Sequence, residues 1–202
     1  MRLKIRHQTE YRYETPVRYS IQELRLTPPS IAGQEIYKWK LNTPIKSTSS
    51  SDAFGNVCNI LVQESPYTSM IIEAEGEVQT QDAFEFDDDV KAVSPYYLLQ
   101  QTHLTEPTEE MLEYFSGNLP KKNSIDELLK LAAAIQKAIK YSPGQTNFAS
   151  TAAQSFAMKS GVCQDHAHIM LGLCRASSIP ARYVSGYFFA EESPNLASHA
   201  WI

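Results

Sequence analysis

Ser160-Gly161-Val162-Cys163-Gln164-Asp165-His166-Ala167 leads a glycine-bearing turn into an apolar helical pattern. The pattern predicts a helix from about Cys163 to Ala176, with Cys163, Ala167, Met170, Leu171 and Cys174 along one face. Ile179-Pro180 breaks it. A cysteine at a helix start feels the positive end of the helix dipole, which lowers a thiol pKa and raises the thiolate fraction. A thiolate is a nucleophile, so the stretch points to an enzyme. Position alone also fits the other common role of free cysteine, a small core residue. Cys174, mid-helix among Leu171 and Leu173, and Cys58, in an apolar strand, read as core.

Moving outward, residues on both sides keep one organisation. Thr105-Glu106-Pro107 is a helix-start signal and Gly117 a stop. Ser124-Ile125-Asp126-Glu127 reads as a capping box, with the serine capping the Glu127 amide and the glutamate reaching back. Ile125, Leu128, Leu129, Ala132, Ile135 and Ile139 follow as an apolar stripe, which Tyr141-Ser142-Pro143-Gly144 terminates. A loop of small polar residues is expected from there to Gly161. Beyond the Cys163 helix, Arg182 to Phe189 reads as a strand and Glu191 to Asn195 as a turn. Ala197, His199 and Trp201 then share one face of a final strand.

Residues 1 to about 100 carry a different period. Leu3, Ile5, His7, Thr9, Tyr11 and Tyr13 alternate with Lys4, Arg6, Gln8, Glu10, Arg12 and Glu14, and Pro16 ends the run. Tyr37, Trp39 and Leu41 repeat the alternation up to Pro44. Phe54-Gly55-Asn56 is a turn before the apolar Val57 to Val62 run, and Met70 to Val78 is another strand. Short strands with turn punctuation imply an antiparallel sandwich or barrel. The chain therefore divides into an N-terminal β domain, residues 1–100, and a second domain, residues 101–202.

Composition limits the partners. A net charge of -5 argues against a phosphate-binding surface, so no nucleic acid is expected. Asp82, Glu85, Asp87, Asp88 and Asp89 concentrate acid in what reads as a solvated loop. No apolar run is long enough to span a bilayer, and the N-terminus alternates instead of forming a signal core. No membrane association is expected, and the cytoplasm is the default location. Cys163 and Cys174 are eleven residues apart on one helix, which is about 16 Å along its axis and beyond the roughly 7 Å a disulfide tolerates.

A cysteine enzyme needs a base to take the thiol proton and later protonate the leaving group. His7 reads as a structural strand residue, His103 as a linker residue, and His166 and His168 ride on the helix of Cys163. Triad partners usually come from separate elements, which leaves His199. Metal binding is the rival chemistry. Cys163 and His166 share a helix face and could both ligate zinc, yet His199 raises the ligand count only to three. No metal or other cofactor is expected.

Several ordered motifs resemble the transglutaminase-like superfamily, in its bacterial branch with an N-terminal β domain. They are Gly161 to His168 for the nucleophile, Ile179 to Tyr187 after it, and Ser198-His199-Ala200-Trp201 for the histidine. Tyr141 to Gly144, Asp52 to Asn56 and the opening from His7 to Val17 fit as well. The resemblance implies an α+β fold, in which an antiparallel β-sandwich-like domain precedes a papain-like, transglutaminase-like core. It implies Cys163 as nucleophile and His199 as base. The Cys163 N–H would serve as an oxyanion donor. The substrate is then a peptide or protein amide, processed through a Cys thioester that an amine or water resolves. The family's aspartate, in a Trp-x-x-x-Asp-Pro context after the histidine, has no counterpart here; Asp165 matches the family's own post-cysteine aspartate instead. The resemblance therefore implies a core incomplete at its C-terminus, reduced or absent activity, and homo-oligomers through an exposed terminal strand edge. A non-catalytic binding module is the alternative expectation.

Overall fold

The computed structural model describes residues 1–81, 93–189 and 198–202. The acidic run from Asp82, the turn from Glu191 to Asn195 and Ala197 lie outside the described residues. Two compact units result, Met1–Val93 and Ser94–Ile202.

In the first unit the period-two sequence becomes two antiparallel sheets. β1 (Arg2–Val17), β6 (Tyr67–Thr80) and β3 (Gln34–Asn42) form one, in the order β1-β6-β3. β2 (Ser20–Thr27), β5 (Val57–Gln63) and β4 (Thr48–Ser51) form the other, in the order β2-β5-β4. Leu24 and Leu61 from one sheet meet Met70 and Ile72 from the other in a buried cluster. Apolar residues two apart on each strand thus share a face and leave water together. Pro16 does not end β1 as its sequence implies; the strand runs on to Val17, and the pairing with β6 breaks register between Arg12 and Val17. Proline is tolerated where the ladder is interrupted.

The 52–56 turn forms between β4 and β5. Asp52 accepts the Phe54 and Asn56 backbone N–H groups at Oδ1 and the Arg25 and Asn56 side chains at Oδ2, all at 2.9 Å. Gly55 takes the left-handed backbone conformation, φ +79°, that the turn needs.

The second unit is built around one buried helix. Its elements are α1 (Pro95–Leu98), α2 (Glu109–Tyr114), α3 (Ile125–Ala138), β7 (Lys140–Tyr141), α4 (Ala152–Met158), β8 (Ser160–Gly161), α5 (Cys163–Ala176), β9 (Val184–Tyr187) and β10 (Ser198–Trp201). α5 spans the residues its sequence predicts, and it is buried from Ala167 through Cys174. Met111 and Phe115, Leu131, Ile135 and Ile139, Ala152 and Phe156 pack with α5 in one core.

Three local expectations are corrected. The buried face of α3 carries Leu131 and Ile135, with Leu128 packed beside them, whereas Ile125 and Leu129 are exposed. The 128-131-135 spacing of three then four follows the helical turn, so the face lies rotated from the expected stripe. The Ser124 hydroxyl caps nothing, and Glu127 instead accepts the backbone N–H groups of Lys121 and Lys122 at 2.5 and 3.1 Å. The expected loop before Gly161 contains α4, opened by a capping box in which Thr151 and Gln154 exchange hydrogen bonds. Among the described residues no helix is long and apolar enough to cross a membrane.

Candidate active site

Cys163 is the first residue of α5, after an extended Val162. Two features fix this helix start. β7 and β8 pair in parallel, Lys140 with Ser160 and Tyr141 with Gly161, which anchors the chain just before the cysteine. Asp165, fully buried, then turns back and accepts the Val162 N–H at 2.6 Å. The same carboxylate accepts the hydroxyls of Thr146 at 2.7 Å and Ser155 at 2.6 Å. It thereby ties the 144–150 loop, α4 and the start of α5 to one point. Gly161 is required beside it, because a Cβ there would sit 2.5 Å from Asp165 Cβ and 2.7 Å from its Oδ2.

Of the three cysteines, Cys58 and Cys174 are buried and Cys163 is half-buried. Burial pushes the Cys174 thiol up to about 11 and raises that of Cys58. Both are core thiols, as their positions predict.

His199 lies on β10, opposite Gly186 of β9. Its ring sits between Phe188, at 5.3 Å between centroids, and Trp201, at 4.7 Å and edge-on. The Trp201 ring leans over Gly186, within 3.2 Å of where a Cβ would be. Two aromatic walls thus restrict the imidazole. α5 packs directly on β10, so the elements of Cys163 and His199 are neighbours. Among the described residues, no hydrogen bond joins the two side chains and no carboxylate bonds the His199 ring. Catalytic hydrogen bonds are commonly long without substrate.

His166 faces the Val162 carbonyl with Nδ1 at 2.9 Å and the Ile139 carbonyl with Nε2 at 3.1 Å. Both nitrogens are taken by backbone, which removes His166 from the zinc alternative. Among the described residues no group of three His, Cys, Asp or Glu side chains could hold a metal.

Sequence reasoning passes over a cavity of about 350 Å³ on the neighbouring face of α5. Gln164, His168, Leu171 and Arg175 line it from the helix, with Phe148 and Tyr183 from the flanking segments. The only sequence signal is the spacing of those four helix residues, which puts them on one stripe. Burial, chiefly, raises the Tyr183 phenol.

Residues 3–79 match the bacterial transglutaminase-like N-terminal region, and residues 113–202 match the transglutaminase-like superfamily. The whole chain is 29% identical to an uncharacterized protein of Mycobacterium leprae (strain TN), covering 78% of that protein. It is 26% identical, over 99% of its length, to an uncharacterized protein of Mycobacterium tuberculosis (strain ATCC 25618 / H37Rv), covering 72% of that protein. Its fold is similar to the crystal structure of "a Putative Cysteine Protease from Cytophaga hutchinsonii", with a TM-score of 0.77 and 22% identity over 99% of this chain and 72% of the other.

Proposed function

We propose, from a chain that belongs to the transglutaminase-like superfamily and so to a thiol-dependent kind of enzyme, that it processes peptide or protein amides through a thioester on Cys163. One observation carries the reading. The cysteine that is not buried opens a helix packed against the strand bearing His199.

His199 takes the thiol proton, and the thiolate attacks the amide carbonyl. A carbon–sulfur bond forms and the carbonyl π electrons move to oxygen. The first amide groups of α5, Cys163 N–H among them, face the growing negative charge at the positive end of the helix. Collapse breaks the carbon–nitrogen bond, and the leaving amine takes its proton from His199. Water or a second amine then attacks the thioester and restores the thiol.

The test is intact-mass analysis after incubation with an activated acyl ester and with a glutamine-containing peptide. An acyl adduct is expected on the wild type, absent in Cys163→Ala and slower to form in His199→Ala. Turnover of the adduct with and without added amine separates transfer from hydrolysis. An adduct that persists in Cys163→Ala, or none on the wild type, overturns the reading.

A further inference from the structure

The cavity on α5 begins at Gln164, the residue that follows Cys163, and runs along the helix past Leu171 to Arg175. Consecutive Cα atoms are about 3.8 Å apart, so the near end of the cavity lies beside the thiol-bearing residue. Both walls are pinned. On one side Gln164 Nε2 donates to the carbonyls of Asn147 and Phe148 at 3.4 and 3.3 Å, and the Asn147 N–H donates to Ser150 Oγ at 3.0 Å. On the other, Gln101 Nε2 donates to the Gly172 carbonyl at 2.8 Å, and a Cβ on Gly172 would sit 2.1 Å from the Thr105 carbonyl oxygen. A site that is formed before its ligand arrives loses little entropy on being filled.

The polar residues of the cavity direct their hydrogen bonds to the protein itself. Arg175 donates from Nε, Nη1 and Nη2 to the Leu98 carbonyl, the Thr105 hydroxyl and the Ala181 carbonyl. The Thr105 hydroxyl donates to Gln101 Oε1 at 3.0 Å and meets the Thr102 hydroxyl at 3.1 Å. The unpartnered Nδ1 of His168 is itself buried and offers nothing to a ligand. What faces an occupant is mainly carbon, from Leu104, Leu171 and the rings of Phe148 and Tyr183. Phe148 is 86% exposed although its backbone is held, so it extends the apolar wall outward at the rim. Walls of this kind, around a volume at the lower end of the range for small-ligand sites, suit an apolar group of side-chain size.

We propose that this cavity receives the side chain of the residue whose carbonyl Cys163 attacks, and that it selects aliphatic and aromatic side chains there. The inference rests on the thioester reading above and narrows it to acyl groups with an apolar substituent on the carbon next to the carbonyl. The thioester keeps the acyl part on sulfur after the amine has left, so groups that flank Cys163 stay in contact with it through both steps. Apolar surface of the acyl part that enters the cavity leaves water against Leu171 and Phe148, which favours its transfer to the thiol over that of a bare acyl group.

The test compares p-nitrophenyl esters of N-acetylglycine, N-acetyl-L-leucine and N-acetyl-L-phenylalanine on the wild-type chain. Each acylates the thiol as the carbon–sulfur bond forms and p-nitrophenolate leaves. The second-order rate is read by absorbance, with the Cys163→Ala background subtracted. Dividing by the rate with free glutathione removes the intrinsic reactivity of each ester. The leucine and phenylalanine esters should then acylate at least about tenfold faster than the glycine ester. Phe148→Ser, at a position too exposed for the fold to depend on it, should cut that ratio several-fold, and Phe148→Leu should restore most of it. A glycine ester that acylates Cys163 while the normalised ratio stays near one overturns the inference and leaves the thioester reading standing. A preference that Phe148→Ser does not change overturns the inference as well. If no ester acylates Cys163, the thioester reading falls and the inference with it.

Discussion

Replacing Asp165 measures the hub beneath the helix start. In Asp165→Ala three donors lose their acceptor: Thr146 Oγ1, Ser155 Oγ and Val162 N, at 2.7, 2.6 and 2.6 Å. Thr146 is half-buried and can turn to water. Ser155 is fully buried and the Val162 amide is fixed by the chain, so two donors are orphaned. At about 1–3 kcal/mol each, the loss is about 2–6 kcal/mol. Asp165→Asn keeps the volume. Its amide oxygen can take the two donors now at Oδ2, and its NH₂ can donate to Ser155 once that hydroxyl rotates. Only the charge assistance goes, which costs about 1–2 kcal/mol. Urea unfolding followed by helical circular dichroism reads this directly, since every described helix belongs to the second unit. An alanine variant within about 1 kcal/mol of wild type, or an asparagine variant as damaged as the alanine one, would refute the reasoning. Asp165→Ala should also fail to rescue Gly161→Ala, because the Asp165 Cβ remains 2.5 Å from the added methyl.

Other outcomes follow from the same geometry. Iodoacetamide on the native protein should label Cys163 alone, with Cys58 and Cys174 reacting only after unfolding, as peptide mapping would read; at about 11, Cys174 holds about one hundredth the thiolate of an ordinary thiol. His168, lowered by burial, binds protons more weakly folded than unfolded. Its contribution to stability should be intact above about pH 6.5 and fall as pH drops from there toward the folded value, a slope in the urea midpoint that His168→Gln should flatten. Asp52 is held far below the usual carboxylate range, first by the Asn56 side chain and then by Arg25 and the turn amides. Its contribution should be complete above about pH 4 and drain away at lower pH, and Asp52→Ala should cost the first unit about 1–3 kcal/mol at pH 7 by thermal melt.

Where the sequence states a long, strong period, the structure repeats it. β1 alternates, β6 buries Met70, Ile72 and Ala74 two apart and Val78 on the same face, and α5 begins and ends on the expected residues. Short elements are harder. α4 holds seven residues among small polar ones, and its surest mark, the Thr151–Gln154 box, resembles the Ser124–Glu127 pattern that does not close. Both patterns satisfy the same local rule, and only the loop at Lys121 and Lys122 decides where Glu127 points. Cys163 and His199 were legible as candidates because motif order names them. The hub at Asp165 and the cavity at His168 were not, since each gathers segments tens of residues apart whose meeting has no local signature.

The placement of the three thiols has a consequence for oxidation. Cys174 shares a helix with Cys163 but stands eleven residues along it, about 16 Å away, and Cys58 is buried in the other unit. Cys174 is therefore out of reach of a sulfenic acid on Cys163, and Cys58 is buried. Reversible capture of that acid would fall to a small external thiol such as glutathione, and in that thiol's absence oxidation would run on to the irreversible sulfinic and sulfonic acids. Of the three thiols, half-buried Cys163 is the one an oxidant reaches first, and the reducing capacity of its surroundings sets how long it survives.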